Sequence, residues 1–457
     1  MQEMLDLIDG MVWGPVTIIL LVGTGIYITL IVKAIQIRKF LYAWGLISGR
    51  YDNPEDDGEV THFQALSAAL SATIGTGNIA GVGTAIAMGG PGAVFWMWVT
   101  AVFGMSLKYA ECLLSLNYRV IHGDGVVGAG PMYYLERGLN QKWLGILFAF
   151  FATIASFGIG NMVQANSVAE PVFTHFGVPK LATGMVIGVL VFAVIVGGIK
   201  RIGQVASRIV PFMCIFYILG GLIIICTRLQ AIPDALTLIF RSAFTGSAAA
   251  GGFTGATVAQ VIRFGVARGV FSNESGLGSA PIAHGAAKTE EPVREGLVAM
   301  LGPFIDTIVI CTMTALVIIL TGAYLSGETG ADLTAKAFNM GISGLGGYIV
   351  ALGIMFFAFS TAVSWSYYGD RCVDYLFGKK LVTPYRVLYC ILLPVGAYVK
   401  LEAVWAISDI FNALMAWPNL IGLLFLSPVV IRMTRDYFND TSRVFPPNTR
   451  SKRIKES

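Results

Sequence analysis

Long apolar runs separated by short charged stretches constrain this chain more than any other feature. Of its 457 residues, 55% are hydrophobic and only 13% are charged, whereas about a quarter of the residues of a soluble domain are charged. The runs are roughly 20 residues long, the length that a helix needs to cross the hydrocarbon core of a bilayer. The pattern predicts an all-α polytopic membrane protein and excludes a soluble one.

The hydropathy pattern predicts about eleven membrane spans, with an amphipathic stretch at 231–247 between the sixth and the seventh. The spans are placed at 12–32, 65–88, 92–117, 143–170, 181–199, 205–227, 257–286, 297–322, 347–375, 384–400 and 403–432. The first run is expected to be a retained span, because the acidic N-terminus lacks the basic region of a signal peptide.

Lysine and arginine are concentrated in the loops after the odd-numbered spans and in the C-terminal tail. Because cytoplasmic loops carry the excess of basic residues, the N-terminus is expected outside and the C-terminus in the cytoplasm of a prokaryotic cell membrane. This alternation also agrees with an odd number of spans.

Two spans carry glycine together with polar residues at mid-membrane depth. In the second span these residues are Ser71, Thr73, Gly75, Thr76, Gly77, Asn78 and Gly81. In the seventh span they are Asn273, Glu274, Ser275, Gly276, Gly278 and Ser279. Glycine costs about 1 kcal/mol relative to alanine inside a helix, so both helices are expected to unwind around a polar site. Alternatively, the glycines are packing positions between helices.

The two interrupted spans lie five spans apart and run in opposite directions, as an inverted repeat predicts. The second span carries Ser71-Ala-Thr-Ile-Gly-Thr-Gly-Asn-Ile-Ala-Gly81, the fourth Gly160-Asn-Met-Val-Gln-Ala-Asn-Ser167 and the seventh Ser272-Asn-Glu-Ser-Gly-Leu-Gly-Ser279. Together these motifs resemble the alanine/glycine:cation symporter family of the amino acid-polyamine-organocation superfamily. The resemblance implies the five-plus-five inverted-repeat fold of bacterial leucine transporters with one extra N-terminal helix.

The resemblance also implies the organisation and the ligands of the chain. It divides the chain into an extra helix and cytoplasmic loop at 1–60, a first repeat at 61–230, a second repeat at 231–435 and a basic cytoplasmic tail at 436–457. The expected partners are a small neutral amino acid such as alanine or glycine, a cation, and the lipid bilayer. The cation is expected to be sodium, with a proton as the alternative, and no cofactor, nucleic acid or obligate protein partner is expected.

The ends of half-helices supply the opposite charges that an amino acid zwitterion needs. Amides of Gly75, Thr76 and Gly77 are predicted to face the carboxylate, and carbonyls from Phe271 to Asn273 to face the ammonium group. The further predicted substrate contacts are Asn161, Gln164, Ser275, Gly276 and Trp365. Phe271 and Trp365 would close the side-chain end of a small pocket. The alternatives are interhelical hydrogen bonding for the two amide side chains and packing for the aromatic ones.

The resembled superfamily shares a sodium site, which implies ligands from the second and ninth spans here. These ligands are Ser71, Ile74, Ser360 and Thr361, and hard cations prefer such oxygen donors. A second cation site near Thr73 and Asn78 is a further hypothesis.

Several charged residues fall inside the apolar runs, where they are costly and mark function. Asp409 and either Arg263 or Arg268 are predicted to form an outer gate. Alternatively, the arginines extend to lipid headgroups. Lys108 and Glu111 lie three residues apart and are interpreted as an intrahelical pair. Asp306 has no assigned role, while Glu274 either binds freed backbone amides or carries a proton.

Enzymatic and channel functions are disfavoured by the same patterns. The four histidines and six cysteines show no HExxH, CxxC or other catalytic spacing, and no GxSxG occurs. A channel does not require two opposed interrupted helices. The sequence therefore predicts a carrier and not an enzyme.

Overall fold

A computed structural model describes residues 2–245, 257–399 and 402–444. The end of the predicted amphipathic stretch at 246–247 and the basic tail beyond residue 444 lie outside this part of the chain. Within it, eight helices are long and apolar enough to cross a membrane, and a bent pair makes a ninth. The chain is therefore a multi-pass membrane protein, as predicted. Length alone does not yield eleven spans, because Lys180–Ile195 has 16 residues and the predicted seventh span is divided into shorter helices.

The first part of the chain is helical apart from one short antiparallel hairpin. Its elements are α1 Gln2–Val12, α2 Pro15–Ile31, α3 Ile35–Arg38, α4 Phe40–Leu46, α5 His62–Thr73, a π-helix Gly77–Gly81, α6 Val82–Gly89, α7 Ala93–Asn117, β1 Val120–Ile121, β2 Val127–Gly128, α8 Pro131–Leu139, α9 Lys142–Phe157, a π-helix Gly158–Met162, α10 Val163–Phe176, α11 Lys180–Ile195 and α12 Gly198–Cys226.

The second part continues with helices alone in the described residues. Its elements are a 3₁₀ turn Leu229–Ala231, α13 Ile232–Thr245, α14 Val258–Asn273, α15 Ala280–His284, α16 Pro292–Ala299, α17 Leu301–Pro303, a π-helix Phe304–Cys311, α18 Thr312–Leu320, a 3₁₀ turn Ala323–Leu325, α19 Gly330–Gly341, α20 Gly346–Phe377, a 3₁₀ turn Lys379–Leu381, α21 Val382–Tyr398, α22 Glu402–Asn439 and α23 Thr441–Val444.

Both interrupted spans begin with the same local signal, a capping box of threonine and glutamine three residues apart. Thr61 accepts a hydrogen bond from the Gln64 amide while Gln64 accepts one from the Thr61 amide, and α5 starts there. Thr257 and Gln260 do the same at the start of α14. The two first half-helices therefore start in the same way.

The helices α5 and α14 end where glycine and polar residues were predicted to unwind the second and seventh spans. After α5 the chain passes through extended Ile74, and the axes of α5 and the helix from Gly77 differ by 54°. After α14, Glu274 takes a left-handed conformation with φ of 54°, and Gly276 and Gly278 follow with φ of 85° and 84°. Such angles suit glycine because it has no Cβ. Both predicted breaks are confirmed.

Candidate functional site

The two breaks touch each other at Gly77. A Cβ added there would lie 3.2 Å from Phe271 Cδ1 and 3.2 Å from the Ser272 Cα. A side chain at this position would displace the neighbouring helix, so glycine permits the close approach. Residues predicted from two distant motifs therefore lie next to each other.

The second-span break also meets the fourth and ninth spans. A Cβ on Gly75 would lie 2.6 Å from Thr361 Oγ1 and 3.7 Å from Gln164 Oε1. Gln164 Nε2 donates to Thr76 Oγ1 over 3.3 Å and to the Ile159 carbonyl over 2.9 Å. Its Oε1 is buried and lacks a hydrogen-bond donor among the described residues. Such an oxygen is available to accept from a ligand.

The Gly75 amide does not face this space, contrary to the prediction. It donates to Asn78 Oδ1 over 2.9 Å, because an asparagine side chain can cap a freed amide three residues earlier. Gly75 therefore contributes room for close approach, while Asn78 fixes the shape of the break.

Asp306 connects both breaks to the eighth span. Its carboxylate is fully buried and accepts from Asn78 Nδ2 over 2.6 Å and from Ser272 Oγ over 2.9 Å. The adjacent Thr307 hydroxyl donates as well, over 2.7 Å. The π-helix Phe304–Cys311 carries this group, and π-helical segments often occur at functional sites. A carboxylate in an apolar run was the only sequence signal for Asp306.

The four residues of the predicted sodium site lie together. Ser71 Oγ donates to the Ser360 carbonyl over 2.7 Å, and Ser360 Oγ donates to the Ser71 carbonyl over 3.3 Å. Thr361 Oγ1 is 3.5 Å from the Ile74 carbonyl oxygen. This cluster of hydroxyl and carbonyl oxygens is a donor set that hard cations accept.

Two predicted substrate residues of the seventh span face elsewhere. The Ser275 hydroxyl packs against Gly104 of α7, and a Cβ on Gly276 would lie 2.5 Å from Leu21 Cδ2 of α2. The left-handed residues in this turn direct the chain away from the second-span break. Ser275 and Gly276 are therefore not retained in the proposed substrate site.

Asn273 shapes the turn itself. Its Oδ1 accepts from the Ser275 amide over 3.0 Å and its Nδ2 donates to Thr307 Oγ1 over 3.2 Å. Asn273 therefore holds the end of α14 against the eighth span.

Asn161 and Trp365 make contacts of different kinds. Asn161 Nδ2 donates to the Tyr389 carbonyl over 2.6 Å, which is the interhelical bond weighed as the alternative, so Asn161 is not retained either. Trp365 packs on Gly160 and donates from Nε1 to Glu274 Oε1 over 2.9 Å. The indole therefore bridges the fourth span and the seventh-span break.

Aromatic and charged residues pack against Phe271. Arg268 Nη1 is 3.6 Å from Asp409 Oδ2, and the Arg268 guanidinium lies 5.5 Å from the Phe271 ring centroid. Phe271 stacks on Trp405 with ring centroids 6.2 Å apart. Arg268 is thus the arginine that pairs with Asp409, while Arg263 lines the same small cleft.

A cleft of about 200 Å³ reaches the second-span break from the predicted outer side. Thr76 lines this cleft together with the acidic residues Glu170 and Asp332. Its other lining residues are Ala80, Ser167, Pro171, Thr174, Ala331, Ala335, Gly347, Val350, Ala351 and Ile354.

On the predicted inner side, one carboxylate joins the two interrupted spans. Glu295 accepts from Nδ1 of His62 at the start of α5 and from Nδ1 of His284 at the end of α15, the latter over 2.6 Å. All three side chains are buried. A parallel bridge between Val60 and Ala287 lies beside them. We call His62, Glu295 and His284 the inner clasp; no sequence motif indicated it, because its members are up to 233 residues apart.

Arg119, just beyond α7, reinforces this side. Its guanidinium donates to the carbonyls of Gly285 and Ala287 over 3.1 and 2.7 Å, and to those of Asp57 and Thr289 over 2.9 Å each. Partial burial lowers the pKa of Arg119, and nearby carboxylates act in the opposite direction.

The chain is similar to known transporters over almost its whole length. The sodium:alanine symporter family model matches residues 1–450. The sodium/alanine symporter AgcS of Methanococcus maripaludis is 50% identical over 443 residues, covering 95% of this chain and 97% of that protein. An uncharacterized transporter of Haemophilus influenzae is 50% identical over 440 residues, covering 96% of each chain. The probable sodium/glutamine symporter GlnT of Bacillus subtilis is 37% identical, covering 96% of this chain and 91% of that one.

Among solved structures, a manganese transporter of Eremococcus coleocola superposes with a TM-score of 0.51 at 11% identity, covering 86% of this chain and 84% of that one. At this identity the likeness concerns the fold alone. The sequence match over almost the whole chain is the stronger finding: the chain belongs to the sodium:alanine symporter family.

Proposed function

We propose that this protein is a secondary transporter that carries alanine or glycine together with a sodium ion by alternating access. The contact of the second-span break with Gln164, Thr361 and Phe271 is the observation that carries the proposal. At this contact, two helix breaks, an unpaired amide oxygen and a cluster of oxygen donors lie close together. The names of the relatives from Methanococcus maripaludis and Bacillus subtilis support amino acid transport with sodium.

The substrate is a small zwitterion held between the breaks. Helix N-terminal amides at Thr76 and Gly77 suit its carboxylate, since a helix N-terminus favours anions. The carbonyl end of α14 and the free Oε1 of Gln164 suit its ammonium group. The packing of Phe271 against Gly77 leaves little room for a side chain. Each additional methylene against such a wall costs about 1–3 kcal/mol, so leucine is rejected.

The cation and the amino acid share one piece of backbone. The Ile74 carbonyl is a proposed sodium ligand, and the next residue, Gly75, lies against Thr361 and Gln164. A cation bound to this carbonyl fixes the conformation from which the following amides reach the substrate. Sodium binding therefore organises the substrate site, and this is the proposed physical basis of coupling.

Alternating access requires the two ends of the site to open in turn. The proposed architecture has eleven spans with the N-terminus outside, and the repeats at 61–230 and 231–435 each contain one interrupted helix after a capping box. The cleft to Thr76 is the outer approach. The inner clasp closes the opposite end, and its release would let the inner ends of α5 and α15 separate.

Reconstituted proteoliposomes test this function. An inward sodium gradient should drive saturable uptake of labelled alanine and glycine but not of leucine, and a pH gradient without sodium should not. Uptake driven only by the pH gradient would replace sodium with protons. Uptake that does not saturate would indicate a channel, and preferential uptake of glutamine would refute the small pocket.

A further inference from the structure

The short helix α23 is bound to the start of α16 by an ion pair. Arg443 donates from Nε to Glu291 Oε1 and Oε2 over 3.0 and 3.1 Å, and its Nη2 donates to the same carboxylate. An arginine that binds a carboxylate through two nitrogens forms a strong and directional ion pair. Glu291 lies directly before α16, so this pair joins the two helices.

The last carbonyls of α23 are bound as well. Such carbonyls have no partner within their own helix. Arg294 of α16 donates from Nη2 to the Arg443 carbonyl over 2.6 Å, and the Tyr42 hydroxyl of α4 donates to the Val444 carbonyl over 2.8 Å. Side chains of two other helices therefore satisfy the end of α23.

Two tyrosines link these contacts into one network. Arg294 Nε donates to the Tyr437 hydroxyl over 3.1 Å, and the Tyr437 and Tyr42 hydroxyls are 2.7 Å apart. A hydroxyl carries one proton, and Tyr42 donates its own to the Val444 carbonyl, so Tyr437 donates to Tyr42. Arg294 is 3% and Tyr437 is 0% exposed, and water therefore competes little for these bonds.

This network holds the helix that carries the carboxylate of the inner clasp. Arg294 and Glu295 are consecutive residues of α16, and Glu295 binds both histidines of the clasp. Opening of the clasp requires Glu295 to leave at least one histidine. Because one residue separates α23 from α22, a movement of α16 away from α22 would break the contacts of Glu291 and Arg294.

We propose that Arg443 and Val444, held by Glu291, Arg294 and Tyr42, form an inner latch that stabilises the inward-closed state. The inference rests on the proposed alternating access and adds that α23 limits how often the inner clasp opens. The segment leaves α16 and α4 when the inner side opens and returns when it closes. The five residues act by positioning α16, and they lie outside the proposed substrate and sodium sites.

Cysteine labelling measures how often the inner side is open. Ala283 is 1% exposed and precedes His284 in α15, so Ala283→Cys should react with a thiol reagent only after the inner side opens. The accessible Cys226 and the half-buried Cys390 are replaced by serine in this background. A partly exposed ion pair shifts an equilibrium by about two- to fivefold. Arg443→Gln should therefore raise the labelling rate of the purified protein by this factor.

Charge reversal separates the latch from a general loss of stability. Arg443→Glu and Glu291→Arg should each raise the labelling rate, and the double variant should restore the wild-type rate because opposite charges face each other again. Tyr42→Phe should also raise it, since the ring stays while the hydrogen bond to the last carbonyl of α23 is lost. Arg435→Gln is the control, because Arg435 is exposed and pairs with its neighbour Asp436 over 3.5 Å. Alanine affinity and thermal unfolding should stay near the wild-type values.

The outcomes distinguish this inference from the proposed function. Unchanged labelling in both Arg443→Gln and Tyr42→Phe overturns the latch, and so does a double charge-reversal variant that labels as fast as the single ones. Normal binding of alanine and sodium in these proteins leaves the transporter intact. Absence of alanine binding by the wild-type protein refutes the proposed function itself. If a charge-reversal variant fails to fold, Arg443→Gln and Tyr42→Phe decide.

Discussion

Replacing Thr361 with valine removes one hydroxyl from the proposed sodium site and puts a methyl group in its place. In the structure this hydroxyl is 3.5 Å from the Ile74 carbonyl oxygen, at the long limit of a hydrogen bond. Its loss should therefore change the free energy of unfolding by less than about 1 kcal/mol. A contact to a charged partner contributes about 1.5–3 kcal/mol, so the sodium dissociation constant should rise about 10- to 150-fold.

Sodium dependence of alanine binding to purified protein measures this change, and thermal unfolding monitors the fold. Ser366→Ala on the same helix is the matched control, because the Ser366 hydroxyl donates to the Val363 carbonyl within α20 over 2.7 Å. The control should keep the wild-type sodium affinity. A folded Thr361→Val protein with unchanged sodium affinity would refute the placement of the cation.

Three further substitutions test the site and its two closures. Gly75→Ala should abolish alanine binding with the fold retained, since its Cβ would lie 2.6 Å from Thr361 Oγ1; normal binding in an unstable protein would favour a packing glycine. Asp409→Asn should loosen the 3.6 Å contact to Arg268 and raise labelling of outer-side cysteines without loss of substrate affinity; unchanged labelling would remove the gate. Glu295→Gln should weaken the inner clasp and raise labelling of a cysteine at its inner end, and unaltered labelling would argue against the clasp.

Much of the architecture was predictable because membrane helices are specified locally. A run of apolar residues must satisfy its backbone within one helix in lipid, so hydropathy predicted a multi-pass helical protein. Glycine and polar residues at one depth likewise predicted the breaks after Thr73 and Asn273. The family resemblance implied Ser360 and Thr361 as further ligands, and both lie beside Ser71 and Ile74 in the structure.

The sequence by itself therefore determined the helical membrane class, the two interruptions and the residues that can serve as oxygen donors. Only the tertiary structure decided which partners meet. It directed Asn161 to Tyr389 and Ser275 to α7, and it connected Asp306 to both breaks across 228 and 34 residues of chain. Such contacts depend on the rotation of each helix about its axis and on the φ values of a few turn residues. The packing of all the helices together sets these quantities, and no local pattern encodes them.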